Sequence, residues 1–190
     1  MQADAPKRDE AWALVTEMTQ SENLRRHMRS VEAAMRAYAR RFGEDEERWG
    51  VLGLIHDWDY ESGPTPEQHP NRGIAMLRER GWPEDALRDI ASHAEYLDVP
   101  RDTPIRKALY AVDEMCGFII ACALVKPDRS LSAVDARTVR RKMKDKAFAR
   151  GVHREQLTAS AEALGVPFDT HVEIVRDALV PIAADLGLNP

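Results

Sequence analysis

"TPIRKALYAVDEMCGFIIACALVKP", residues 103–127, is the stretch on which the fold turns. Pro104 can open a helix, Pro127 cannot continue one, and between them Ile105, Leu109, Val112, Cys116 and Ile119 recur at steps of four, three, four and three residues. That spacing predicts a helix over about 104 to 125 with one apolar face. Its last part, GFIIACALV at 117–125, is about half a membrane span, which directs the helix to a protein core. Asp113 stands on the same stripe, one turn from both Leu109 and Cys116. An unpaired buried carboxylate costs on the order of several kcal/mol, so it requires a cation, hydrogen bonds or a proton.

Helical periodicity continues in both directions. Ser21 or Asn23 caps a helix running to about Phe42, where Gly43 ends it, and Glu44 to about His56 forms the next. ESGPTPEQHP at 61–70 reads as a loop. Helices follow at about 69 to 80, closed by Gly81, and about 83 to 95, opened by Pro83. After the loop KPDRSLS at 126–132 come a basic helical stretch and helices near 153 to 164 and 167 to 187. No alternating strand pattern and no internal repeat interrupts this order, so the fold is expected to be all-α.

The 190 residues suit one compact domain, with a net charge of -5 that provides no long-range attraction to nucleic acid or anionic membrane. MQADAPKRDE lacks the basic-then-apolar order of a signal peptide, so a cytoplasmic location is the expectation. Cys116 and Cys122 match no zinc or dithiol spacing and read as reduced core thiols. Trp49, Trp58 and Trp82 read as core anchors.

Asp113 is not alone among ionisable groups on apolar faces. His27 lies three after Leu24 and four before Val31, His56 four after Leu52, and His93 three after Ile90 and four before Leu97. His69 shares a face with Met76 and Leu77. One such histidine is ordinarily a hydrogen-bonded core residue. Four imidazoles with Asp57 and Asp113 form a set that neutral hydrogen bonds satisfy poorly and a divalent cation satisfies well. Adjacent helical residues diverge by about 100°, so His56 and Asp57 can share an ion only where their helix is ending.

The order His27, His56-Asp57, His69, His93, Asp113 resembles the HD-domain superfamily of metal-dependent phosphohydrolases, over roughly residues 21 to 125. EQHPNRGIAML, DIASHAEY and RKALYAVDEM are similar to its histidine and final-aspartate segments. The whole chain, including the tail KDKAFARGVHREQ, resembles a group of small bacterial members. The resemblance implies an HD-domain helical bundle over about 21–125 with a C-terminal helical extension over about 132–190. It implies His27, His56, Asp57 and Asp113 as ligands of a first ion, and His69 and His93 as holders of a second with Asp57 bridging. The cofactor it implies is a divalent Mn, Fe, Co, Ni or Mg, one ion being the expectation and two the alternative. The implied activity is hydrolysis of a phosphate ester or anhydride of a small molecule, a nucleotide above all, by a metal-activated water. A di-iron oxygenase and a non-catalytic metal-stabilised module are the rivals. Two family features are missing: Tyr60 replaces a frequent lysine three after the dipeptide, and Ala94 follows His93 where cyclic-dinucleotide hydrolases carry a second histidine.

Beyond the ligands, Asp59 and Glu61 are candidate proton carriers or outer partners of the site, beside Asp57 in the catalytic set. RTVRRKMKDKAFARGVHR at 137–154 carries eight Arg or Lys against one acid. It reads either as a solvated helix face or as a phosphate clamp built on Lys144, Lys146 and Arg150, with Arg72 reaching the same anion. His153 and His171 fall outside the pattern and read as structural or surface residues.

Overall fold

A computed structural model describes residues 7–190; the opening residues 1–6, and with them most of the signal-peptide reading, lie outside the described residues. Nine α-helices make up the described chain: α1 (Arg8–Met18), α2 (Glu22–Phe42), α3 (Glu46–Ile55), α4 (Asn71–Glu79), α5 (Glu84–Ala91), α6 (Pro104–Leu124), α7 (Ala136–Met143), α8 (Arg154–Ala163) and α9 (Phe168–Leu179). Among the described residues there is no strand, only an isolated bridge between Ser130 and Asn189. No described helix is long and apolar enough to cross a membrane.

Local chemistry sets the limits of the central helices. The Ser21 hydroxyl accepts the Leu24 N–H to cap α2, Gly43 ends it in the left-handed region at φ 71°, and the Asp45 carboxylate caps α3 through the Arg48 N–H. On α2, Met28, Val31, Met35 and Tyr38 are buried at helical spacing. α3 lies against this face so closely that a Cβ on Gly53 would stand 2.9 Å from Met35 Cγ and 3.0 Å from the Val31 carbonyl. The stripe of α6 is buried as its spacing predicts, and Cys116 and Cys122 are free and buried within it. Trp49, Trp58 and Trp82 are in the core.

Four boundaries differ from the sequence reading. α1 was not anticipated; it packs on α3 through Ala11, Leu14 and Val15. α5 stops at Ala91, which leaves His93 in the turn before a short 3₁₀ segment at Glu95–Leu97. α4 starts only at Asn71, after a cis His69–Pro70 bond, so His69 also sits in a turn. The last helix tightens to a 3₁₀ turn over Val180–Leu186, where Pro181 cannot donate a backbone hydrogen bond. The C-terminal helices are not separate from the core. α9 packs on α2 and α6, α8 packs on α6, and Leu157, Val172, Val175 and Leu179 join the same apolar cluster as Met35 and Leu109.

Candidate metal centre

α3 ends at Ile55, and His56 and Asp57 follow in the turn, as a helix-end chelate requires. The turn is held from both sides. Trp58 is buried and its carbonyl accepts the Thr19 hydroxyl at 2.9 Å, while the Glu61 carboxylate accepts the N–H groups of Gln20 (2.6 Å) and Ser21 (3.0 Å). The turn is thereby stapled to the junction of α1 and α2, just ahead of the helix that carries His27.

Six side chains converge from five segments of the chain into two adjoining groups: His27, His56 and Asp113, and Asp57, His69 and His93, the ligand atoms of each lying within 4.8 Å of one another. Asp57 joins the groups. Its Oδ2 is 3.5 Å from His56 Nε2 and 3.7 Å from His27 Nε2, while its Oδ1 is 3.2 Å from His69 Nε2 and 3.3 Å from His93 Nε2. Asp113 Oδ1 closes the first group, 3.0 Å from His27 Nε2 and 3.5 Å from His56 Nε2.

The imidazoles are turned by partners behind them. His56 Nδ1–H donates to the Gly53 carbonyl (2.8 Å), His93 Nδ1–H to the Ile90 carbonyl (2.7 Å) and His69 Nδ1–H to Asp59 Oδ1 (2.8 Å). Each of these nitrogens must carry the proton because its partner can only accept, so in the neutral rings Nε2 is a bare lone pair facing inward. Two observations then point to a cation. The buried His56 Nε2 has no hydrogen-bond partner, and His69 Nε2 meets His93 Nε2 at 3.0 Å, where two lone pairs repel. The donor set of imidazoles and carboxylates fits a divalent transition ion.

Without an ion the same contacts hold protons. Burial works against a charge on His56, but Asp57 and Asp113 raise its pKa well above the ordinary value. His69 is likewise opposed by burial and raised to about 9 by Asp57 and Asp59. Burial pushes both carboxyls up, yet the imidazoles hold Asp57 well below the usual carboxylate range and Asp113 below it too. Metal and protons therefore compete for these nitrogens.

The other anticipated residues are distributed differently. Asp59 is buried away from the cleft, its Oδ2 accepting the Gly73 N–H at 2.7 Å while Oδ1 holds His69. Its carboxylate thus reaches the site through His69 and does not line the cleft. Gly73 is needed there, because a Cβ would stand 2.7 Å from Asp59 Cγ and 2.6 Å from Trp58 Nε1. Glu61 is not brought into the cluster at all; its charge answers the N-terminal end of α2. Arg72 is exposed and donates to the Ser62 carbonyl at 3.2 Å, bracing the loop. Lys144 lines a separate surface depression of about 410 Å³ with Arg137, Arg140 and Arg141, and Lys146 and Arg150 are exposed without lining the cleft. The basic run is in large part the solvated face of α7 and the turn after it.

What opens onto the cluster is a cleft of about 510 Å³ whose lining contains no Lys or Arg. Tyr60, Tyr96 and Tyr110 give it aromatic walls, and Glu95, Glu114, Gln156 and His153 give it polar ones. Tyr96 is half exposed, and its hydroxyl donates to the His69 carbonyl at 2.5 Å. His153, read from the sequence as structural or surface, faces this cleft with its Nδ1 3.3 Å from Glu114 Oε1. No periodicity could mark it, since it caps α8 from outside the helix; its place within KDKAFARGVHREQ was the one available signal.

The HD domain family matches the chain over residues 24–178, from the start of α2 into the end of α9. The match thus runs well past residue 125, the end of the segment that holds the six ligands, and takes in the tail KDKAFARGVHREQ with His153. No curated protein and no solved structure matches the chain.

Proposed function

The chain belongs to the HD-domain family, a superfamily of metal-dependent phosphohydrolases, and on that premise we propose that it hydrolyses phosphate monoesters of small ring-bearing molecules, nucleoside monophosphates foremost. The observation that carries this reading is the division of six ligands into two groups sharing Asp57, one carboxylate oxygen facing each. It favours two ion positions over one.

Divalent ions held by these residues would supply Lewis acidity toward a phosphoryl oxygen and acidify a water at neutral pH. Everything else belongs to the protein. Asp57 would contribute one oxygen to each position, Asp113 and the backbone-anchored His56 would hold an ion at the first, and Asp59 orients His69 toward the second. A single phosphoryl group can be bound at the cluster. Further phosphates would extend towards Glu95 and Glu114 with no Lys or Arg among the lining residues to meet them. Tyr60, Tyr96 and Tyr110 are placed to cover the ring of the leaving alcohol.

Phosphate release from nucleoside mono- and triphosphates, by protein loaded separately with Mn, Fe, Co, Ni or Mg under anaerobic conditions, is the test. The expected result is release without oxygen and a preference for monophosphates. Turnover that required oxygen would establish the di-iron oxygenase instead. Full metal content with no release from any ester would leave the non-catalytic reading standing.

A further inference from the structure

A monoester hydrolase has a second requirement besides a nucleophile: an alkyl leaving group must gain a proton as it departs. Among the residues that line the cleft, those outside the two metal-facing groups with ionisable side chains are Tyr60, Glu95, Tyr96, Tyr110, Glu114 and His153. Only one of these, His153, can carry a positive charge. We propose that His153 is a catalytic residue of this cleft, donating the proton to the leaving oxygen, with Glu114 as its positioning residue.

The geometry supports the assignment at three points. Glu114 follows Asp113 on α6 and engages His153 at Nδ1, which leaves the other nitrogen, Nε2, as the one not taken up by Glu114 in a residue that lines the cleft. His153 precedes the first residue of α8 and is 77% exposed at its side chain, so both substrate and solvent can reach it. The Gln156 side-chain amide, one turn along α8, bonds the Tyr110 carbonyl of α6 at 3.5 Å and ties the two helices together beside the cleft. Arg154, Arg150, Lys146 and Lys144, the cations nearest in sequence, do not line the cleft, so they do not duplicate this role.

In the step itself, the bond from phosphorus to the ester oxygen breaks and its electron pair stays on that oxygen. His153 Nε2–H passes its proton there, releasing the alcohol. The attacking water forms the new bond to phosphorus and its proton leaves to solvent, while the exposed His153 regains one from solvent. Nothing is oxidised or reduced.

The inference rests on the phosphohydrolase reading, and a comparison of leaving groups separates the two. Metal-loaded wild type, His153→Gln and His153→Ala are compared on a nucleoside monophosphate and on 2,4-dinitrophenyl phosphate, whose phenolate departs without a proton. Loss of a general acid is expected to reduce kcat roughly 10²-fold or more on the alkyl ester. On the dinitrophenyl ester the loss should stay below about tenfold, with metal stoichiometry unchanged. Equal losses on both esters, or no loss on either, would overturn the role of His153 while leaving the hydrolase intact. If wild type released phosphate from neither ester, the hydrolase reading would fail and the proton donor with it.

Discussion

His56 and His171 are both 0% exposed in the same helical core, yet their surroundings make them opposites. His171 Nδ1 accepts the Tyr38 hydroxyl at 2.6 Å and its Nε2–H donates to the Ala111 carbonyl at 3.1 Å. Both nitrogens are satisfied by neutral partners, and burial pushes the imidazole down to about 4. His56 has one nitrogen on a backbone carbonyl and the other without a hydrogen-bond partner, 3.5 Å from each of two carboxylates. The acids show the same contrast. Asp89 is buried between Arg106 (2.7 Å) and Arg48 (2.8 Å), whereas Asp113 faces imidazoles alone. Burial of an ionisable group therefore does not mark a site; what answers its lone pairs and charge does.

The largest expected effect breaks the comparison at its centre. His56→Ala and Asp57→Ala should each lose bound metal and, since even outer partners are worth 10- to 100-fold, reduce phosphate release by more than about a hundredfold. His171→Gln should keep full metal stoichiometry by elemental analysis. Wild-type metal content in the first two variants would remove the cluster from metal binding.

Asp59→Asn sharpens the same contrast one residue further out. Its carboxylate touches His69 and not the cleft, so metal affinity at the Asp57, His69 and His93 group should fall about 10- to 100-fold, with the fold retained. Metal titration followed by calorimetry measures it. An unchanged affinity would mean that the Gly73 contact is the whole role of Asp59.

The two kinds of histidine should also give stability of opposite pH dependence in the metal-free protein. His69 is raised to about 9 when folded, above the ordinary 6.5, so its contribution is complete below about pH 6.5 and is lost as pH rises through 9. His171 is lowered to about 4, so its contribution is complete above about pH 6.5 and is lost as pH falls towards 4. Metal loading should abolish the alkaline loss and leave the acid one. His171→Gln should cost roughly 1–3 kcal/mol at neutral pH and flatten the acid limb. Denaturant titrations across that range, with and without chelator, check both; an alkaline limb identical in loaded and metal-free protein would sink the first.

The smallest effect is expected at Glu61. Its carboxylate accepts from two N–H groups at the start of α2, and Glu61→Gln should cost only about 0.3–1 kcal/mol with turnover unchanged. A loss of turnover out of proportion to stability would return Glu61 to the catalytic set.

Helical spacing alone puts Asp113 and His27 on core-directed faces, and the end of a helix at His56 was legible because a shared ion demands it. These readings rest on the period of 3.6 residues, which is local and survives in sequence. The helices of 104 to 125 and 21 to 42 were legible for the same reason, with proline, serine and glycine at their ends. The same spacing singled out His69 and His93, although both sit in turns just outside the expected helices, and the family motif gave them their place at a second ion. What only the tertiary structure decided is who meets whom across the chain: that Asp57 turns one oxygen to each group, that Asp59 holds His69, that Glu61 holds the backbone leading into α2, and that the basic run misses the cleft while His153 lines it. α1 is another such element, since its short apolar face is completed only by α3. Each of these depends on how helices distant in sequence pack against one another, and packing is set by the joint shape of many side chains, which no local pattern records.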